Sequence, residues 1–551
     1  MAKVDDRRSD RRSAHEVLNQ PPPLVDYNAF ENDTVLREAV AREGGAWGTE
    51  RLRRLGEFVG GEGLRLGVLA ERNPPALHTH DRSGRRVDEI EFHPSWTRLL
   101  EMGIRAEIPS LPWRTDRPGA HVVRGAALYL LSQAEAGVTC PLSMTFASIP
   151  SLRGAPELAA SWEPRLLDPD PASSALCGMA MTEKQGGSDV RAATTVAEPA
   201  GGGAYELTGH KWFCSHPVSD AFLVLAQASG GLSCFLLPRF LPDGSRNEGF
   251  RIVRLKDKLG TRALASAEVE FDRALAWPVG EQGQGVPSII EMVNHTRLDC
   301  VIGSAAAIRR AVAEATHHAA HRSAFGRLLI DQPLMQGVLA DLCLESEAAT
   351  LLAFRVAASY EAGRDPSFRR LAGAAAKYWV CKRATPAIAE ALECLGGNGF
   401  VEDWPLARLF RESPLNSIWE GSGNVIALDV LRILHREPGA FDALLAEAEP
   451  ALGADHRLDR HVERMKELRR ALTGGEVAEG EGRRLAGGLG LLLQACSIVR
   501  HSPPPVAEAF LGSRLDPETE RTFGVLPPGI DLASVVERHQ PRLDGGFGAR
   551  G

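Results

Sequence analysis

The stretch "SPLNSIWEGSGN", Ser413 to Asn424, sets one carboxylate, Glu420, between Trp419 and a Gly-Ser-Gly turn, with Ile418 beside it. An acid wrapped this way loses water, which raises its pKa toward neutrality and makes it a usable general base. The run that follows, "NVIALDVLRIL", reads as a helix whose first N–H groups would face an anion or a cofactor. The plainer alternative is an acid in the first helical turn, stabilised by the dipole.

Four other stretches offer chemistry. "MAMTEKQGGSDV" (179–190) ends a strand at Thr182 and continues through Gly186, Gly187 and Ser188, giving hydroxyls and approachable backbone N–H groups for a phosphate or a ring with carbonyls and nitrogens. "GHKWFCS" (209–215) supplies Trp212 as a flat face and Ser215 as a hydroxyl at ring height. In "HRSAFGRLLIDQPLMQ" (321–336), Arg322 stands at a helix end near Phe325 and Gly326, where its fork suits a pyrophosphate. "ECLGGNGF" (393–400) ends an apolar helix at Gly396 and Gly397. Taken singly, each has a bland alternative: a glycine hairpin, a core tryptophan, a surface ion pair and a helix cap.

The elements that must position these residues change character along the chain. From about Pro23 to Cys177 the patterning is mostly helical, as in "NDTVLREAVAREGGAW", where Asn32 or Asp33 can cap, while "RNPPALH" and "EIPSLPWRTDRPG" read as breaks. Between Leu176 and Val279 short strand-like runs, "YELTGHKWF", "AFLVLAQ", "LSCFLLP" and "AEVEFD", alternate with Gly, Pro, Asp and Ser clusters and suggest an antiparallel β domain, a barrel among the options. Helical patterning returns near 286 and runs to Arg436; strands inserted between helical blocks imply that distant helices pack together. The expected units are a disordered tail (1–22), a helical domain (23–177), a β-barrel domain (178–285), a helical bundle (286–436) and a C-terminal helical extension (437–551).

With 551 residues, 44% hydrophobic and 24% charged, the composition is that of a globular protein of about three or four units. A net charge of −8 gives no global attraction to nucleic acid or membrane. Nine cysteines without CxxC spacing argue against a zinc site and a disulfide framework; no metal is expected, and a reducing cytoplasm fits. The first residues lack a signal-peptide core, and the longest nearly apolar run, 485–499, is too short to span a bilayer.

Together, "MTEKQGGSD", "GHKWF", "RSAFG", "LGGNGF" and "WEGSGN", in this order, resemble the signature segments of the acyl-CoA dehydrogenase family of flavoproteins, over roughly Pro23 to Arg436. The resemblance implies a mainly α fold with a β-barrel domain between two helical domains, and FAD between the β domain and the later bundle of a homotetramer. It also implies that Met179, Met181, Thr182, Gly187, Ser188, Trp212, Phe213 and Ser215 contact the flavin from the β side. Ile418, Ser422, Asn424 and Leu428 would complete the site, and Gly396 and Gly397 would admit a ligand closely. Arg322 and Phe325 would reach a neighbouring subunit's FAD. Glu420 takes the place of the base that removes the α-proton of an acyl-CoA thioester while the β-hydrogen leaves as hydride. The absence of a GxGxxG motif after a strand speaks against a Rossmann-type flavin site.

The similarity is closer still to the AidB-like branch, associated with responses to DNA alkylation, through "GLSCFLLPRFLPDG", "RLKDKLGTRALASAEVEF" and the region after Arg436. That branch implies weak dehydrogenase activity and double-stranded DNA as a partner. Residues 441–551 carry 14 Lys plus Arg against 17 Asp plus Glu, net −3, so any DNA contact must be local. In "RLDRHVERMKELRR" a helical projection puts Leu458, Val462, Met465 and Leu468 on one face and Arg457, Arg460, His461 and Arg464 on another, with Arg432 and Arg436 just upstream. A solvated face with Asp459, Glu463 and Glu467 is the alternative. The chain departs from the family pattern at Glu393, where Gln is usual, at Gln332, one place early, and at Trp419, bulkier than the usual neighbour of the base.

Overall fold

The computed structural model describes residues 17–473, 479–519 and 522–543; most of the expected tail, residues 1–16, lies outside them. The segment before Cys177 is largely helical, through Thr34–Val40, Thr49–Phe58, Leu64–Arg72 and Pro94–Arg105 to the buried helices α1 (Ala120–Ala134) and α2 (Thr139–Leu152). Of the two candidate caps, Asp33 serves: its carboxylate accepts the Leu36 N–H at 3.0 Å, satisfying an amide that has no intrahelical partner.

One part of this segment is not helical. Strands β1 (Ala76–His80) and β2 (Arg86–Glu91) pair as an antiparallel hairpin where the sequence reads as a break followed by helix. "ALHTH" and "RVDEIE" are too polar to show a strand's alternation. The hairpin is held instead by polar contacts: Asp81 accepts the N–H groups of Ser83 and Arg85 across the turn, and buried Asp88 takes Arg86, Arg246 and the Ile252 N–H, clamping it to the following sheet.

That sheet contains β3 (Cys177–Ala180), β4 (Val196–Gly201), β5 (Ala204–Ser215), β6 (Ala221–Ala228), β7 (Gly231–Pro238), β8 (Phe250–Leu255) and β9 (Ser266–Val279). Pairings run β6–β4–β5–β9–β7 and return to β6, with β3 on β6 and β8 on β9; the β4–β6 contact is a single pair, Val196 with Gln227. Phe222, Val224, Phe235, Leu237, Phe250 and Val269 fill the interior. The four runs read as strands lie in β5, β6, β7 and β9; β4, with its Pro and Glu, and β8, with two Arg, carry no such signal. Between Lys211 and Cys214 the β5–β9 register slips, a bulge that re-aims Trp212 and Phe213.

The bundle comprises α3 (Gly285–His321), α4 (Pro333–Ala358), α5 (Pro366–Cys394) and α6 (Gly423–Arg436). Its core is continuous with the first helical segment. The Tyr129 hydroxyl meets Thr350 at 3.3 Å, and Arg124 of α1 forms a buried ion pair with Asp299 of α3. Helices more than a hundred positions apart therefore pack together, as strands inserted between them require.

Beyond Arg436, α8 (Gly482–His501) and α9 (Leu532–His539) lie on this bundle, and α7 (His456–Thr473) packs on α8. A Cβ at Gly490 would stand 2.5 Å from Trp379 Cβ, so glycine lets α8 approach α5 closely. Glu347 of α4 receives Ser502, Arg538 and His539, fastening the end of the extension. The apolar run 485–499 is a buried helix, and among the described residues no helix is long and apolar enough to cross a membrane.

Candidate active site

Glu420 stands two residues before Ser422, the N-cap of α6, at φ +57°, a left-handed conformation that costs a non-glycine residue about 1–3 kcal/mol. Three side chains hold it there. Thr296 Oγ1 donates to Glu420 Oε2 at 2.7 Å, and Arg297 Nε donates to its main-chain carbonyl at 3.1 Å. Lys377 Nζ donates to the carbonyls on either side, Trp419 at 2.9 Å and Gly421 at 2.6 Å. The carboxylate is thus bonded to α3 rather than to the amides of α6. Burial raises its pKa above the usual carboxylate value, while Thr296, Arg297 and Lys377 pull it back. A half-buried acid that is partly desolvated and still hydrogen-bonded suits a proton acceptor.

Cys140, on α2, feels both the base and the sheet. Burial pushes its thiol up to about 12, the Ser215 hydroxyl opposes this, and the charge of Glu420 adds to the rise. Ser215 and Glu420 therefore both act on one thiol.

On the sheet side, the bulge frees the Trp212 N–H to donate to Thr182 O at 2.8 Å, so two of the expected cofactor residues touch. Lys256 Nζ stands 3.3 Å from the Trp212 ring centroid and covers one face of the indole. The turn after Thr182 is fixed by Glu183, buried, which meets Lys211 Nζ at 2.7 Å and accepts from Thr194 and Thr195. A Cβ at Gly187 would lie 2.3 Å from Thr182 Oγ1, so this turn requires glycine. Met179 and Met181 are half-buried, Ser188 is exposed, and Phe213 is 52% exposed. On the bundle side, Ile418 is 62% exposed, Leu428 is half-buried, and exposed Asn424 accepts Arg483 Nη1 of the extension at 3.3 Å.

Arg322 and Phe325 are not brought to this face. Arg322 ends α3 and donates to Asn19 O, while Phe325 and Gly326, both at positive φ, form the tip of a small hairpin with Phe325 99% exposed. At Gly396 and Gly397 a Cβ would meet open space among the described residues; Gly396, at φ +59°, suits glycine by its backbone, whereas nothing among them requires it at Gly397. Gln332 bonds Ala324 O within the same hairpin region, and Glu393 is exposed.

The arginine stripe of α7 needs correction. Leu458, Val462 and Met465 are buried as projected, but His461 is buried with them, its Nε2 2.8 Å from Gly488 O. Arg457 keeps only 12% of its side chain exposed and pairs with Asp455 and Glu508, so two acids compete for its fork. Arg460 and Arg464 are exposed, Arg464 also reaching His461 Nδ1; Arg436 is exposed and Arg432 pairs with Asp429.

Sequence alone assigns no role to Thr296, Arg297 or Lys377, although a lone lysine inside "LAGAAAKYWV" is a signal of an inward-facing charge. Nor does it reveal an acid cluster: oxygens of Glu71, Glu135 and Glu412, all buried, lie within 4.8 Å of one another. Burial, then the charge of Glu71, raise Glu135 to about 7; burial raises Glu412 to about 8 against the pull of Arg408.

Comparison with known proteins places this architecture. Residues 19–170 match the adaptive response protein AidB N-terminal domain, 178–274 the acyl-CoA dehydrogenase middle domain and 283–435 the acyl-CoA dehydrogenase C-terminal domain. AidB of Escherichia coli (strain K12) is 45% identical over 91% of this chain and 94% of its own length. The chain belongs to the acyl-CoA dehydrogenase family. Within this family, acyl-CoA dehydrogenase family member 11 of Caenorhabditis elegans is 33% identical over 76% of this chain and 71% of its own length. The crystal structure of C. elegans ACDH-11 in complex with C11-CoA superposes with a TM-score of 0.83 at 28% identity, covering 98% of this chain and 95% of that one. The apo form of Bd2924 gives 0.81 at 30% identity, covering 88% and 99%.

As an acyl-CoA dehydrogenase-type oxidoreductase the chain uses the family's cofactor, FAD. The residues present fit that group. A glycine turn, a bulged tryptophan and a half-buried serine hydroxyl on the sheet, and exposed apolar side chains on both sides, Phe213 on the sheet and Ile418 beside Glu420, are the kinds of group that hold a flat, polar-edged ring.

Proposed function

We propose that this chain dehydrogenates a short or branched acyl-CoA at the α and β carbons, with Glu420 as the base. The observation that carries this reading is a half-buried carboxylate gripped by Thr296, with its own carbonyl held by Arg297 and the carbonyls on either side held by Lys377. Thioester α-protons are weakly acidic, so the acceptor must be dry and its position fixed. FAD, when bound, would supply the acceptor for the β-hydrogen as hydride. The turn at Thr182 to Ser188 and the Trp212–Ser215 bulge would hold the flavin from the sheet, with Ser422 and Asn424 opposite. Arg322, Phe325, Gly396 and Gly397 would serve a neighbour's cofactor in a homotetramer; the full exposure of Phe325 supports that role. The C11-CoA held by ACDH-11 supports an acyl thioester as the substrate class, and the indole of Trp419 beside the base favours short or branched chains. The test is anaerobic addition of an acyl-CoA panel to the yellow protein: bleaching is expected with short or branched chains and not in Glu420→Gln. A flavin spectrum unchanged by every member would refute the reading.

A second reading, duplex DNA binding by the extension, is favoured by the exposed Arg436, Arg460 and Arg464. It requires affinity that falls steeply with salt, because phosphate contacts release counterions.

A further inference from the structure

We infer that Lys377 is a positioning residue for the base, its ammonium drawing together the two carbonyls that bracket Glu420 and setting a fixed positive charge opposite the carboxyl. This rests on the reading of Glu420 as the base.

Two consecutive residues, Glu420 at φ +57° and Gly421 at φ +105°, turn the chain left-handed just before α6. In that turn the carbonyls of Trp419 and Gly421 converge on one donor, Lys377 Nζ, at 2.9 and 2.6 Å. Gly421 adopts this conformation freely; Glu420 does not, and needs contacts that over-determine it. Lys377 is 1% exposed, at an inward position of the apolar stretch of α5. Burying an ammonium is costly, and a neutral amide would satisfy a carbonyl as well, so the charge itself calls for an explanation.

The groups facing the carboxyl supply one. From α3 come Arg297, Asp299 and Cys300; from α2, Cys140; from α5, Lys377. Arg297 is already paired with Asp429 at 2.7 Å, and Asp299 with Arg124. Among the described residues Lys377 has no carboxylate within ion-pair distance, and its other charged or titratable neighbours are Cys300, Cys381 and Lys382. Its charge therefore joins that of Arg297 in offsetting desolvation of the base and, unlike that of Arg297, is not already tied to a carboxylate; it helps keep the acid ionised at the pH of turnover.

The test uses the full-length holoprotein. Lys377→Met removes charge and both hydrogen bonds, Lys377→Gln removes charge but keeps a donor, and Lys377→Arg keeps charge. The Glu420 midpoint is read by pH-difference infrared spectroscopy of its protonated carbonyl stretch, assigned by the band's absence in Glu420→Gln. The acid limb of flavin bleaching is followed in parallel. In the Met and Gln variants both are expected to move up together by about one pH unit or more, returning in the Arg variant to near the parent value. An unmoved infrared midpoint in a folded, flavin-binding Gln variant overturns the inference, as does a rise in KM with the limb in place. Should the Met variant not fold, the Gln and Arg variants decide the matter. If Glu420→Gln bleaches like the parent, the reading of the base fails, while the infrared midpoint still reports on Lys377.

Discussion

Thr296 donates its hydroxyl to Glu420 Oε2 across 2.7 Å, and the next residue, Arg297, holds the same glutamate by its main-chain carbonyl. One turn of α3 thus controls both the charge and the placement of the base. The hydroxyl favours the ionised carboxyl, against the burial that disfavours it. Thr296→Val keeps the shape and removes the donor, so the carboxyl should titrate higher. The acid limb of acyl-CoA bleaching is expected to move to higher pH by about one unit, with the rate at high pH less affected. A limb that stays in place would show that the hydroxyl does not touch the reacting group.

A second expectation concerns the turn that would carry the flavin. Glu183 and Lys211 form a fully buried pair, and Glu183 also receives Thr194 and Thr195. Removing one partner leaves the other charge buried, at a cost of about 3–5 kcal/mol. Lys211→Met should show this loss in chemical denaturation. Lys211 and the carboxylate's hydrogen bonds hold the pKa of Glu183 far below its ordinary value against the pull of burial. Its stabilisation is therefore present above the unfolded value, near 4.5, and is lost as pH falls below it. The stability difference between parent and variant should shrink on acidification.

What sequence made legible follows from where the physics is local. The cap at Asn32 or Asp33, the helix read from Asn424, which begins one residue earlier at Gly423, and the strand runs of β5, β6, β7 and β9 are set by residues a few positions apart, and they stand close to where read. The hairpin of β1 and β2 was hidden because a contact with a distant partner, Asp88 to Ile252, stabilises it rather than its own alternation. Glu420 was visible from its wrapping and its place in a family pattern, but its grips, Thr296 and Lys377, come from helices separated by 124 and 43 positions. The Glu71–Glu135–Glu412 cluster left no trace, since its members come from three unconnected segments. His461 was misplaced because a helical projection does not say which neighbour covers the flank of the buried stripe.

That acid cluster has a thermodynamic consequence. Glu135 and Glu412 are raised to about 7 and about 8, so the folded state binds protons that the unfolded chain has already released above the ordinary glutamate value of 4.5. The cluster's contribution to stability then falls as pH rises through the window from about 4.5 to about 8, while buried histidines held below their ordinary value of 6.5, such as His317 and His461, act in the opposite sense in its lower part. The cluster is therefore read as a difference: Glu412→Gln, which stays neutral, should gain in unfolding midpoint relative to the parent as pH rises across that range. A variant whose slope matches the parent would mean that the cluster is charge-compensated in both states.

The extension permits a comparison between arginines that sequence alone placed together. Arg460 and Arg464 are exposed on α7, whereas Arg457 is tied to Asp455 and Glu508 and joins α7 to the helix Pro504–Arg514. If duplex DNA lies along this face, each phosphate that the protein ceases to neutralise lowers the slope of log affinity against log salt by about 0.9. Arg460→Ala with Arg464→Ala should therefore weaken binding at low salt and flatten the slope by up to about 2, with thermal stability nearly unchanged, because exposed pairs contribute about 0–1 kcal/mol. Arg457→Ala should do the reverse: it leaves Asp455 and Glu508 without their shared partner, loosens α7 and lowers the unfolding midpoint, while the salt slope stays close to the parent's. Fluorescence anisotropy of a labelled duplex over a salt series, beside thermal melts of the same preparations, separates the two. A slope that responds to Arg457 and not to Arg460 and Arg464 would move any DNA contact away from the exposed face of α7.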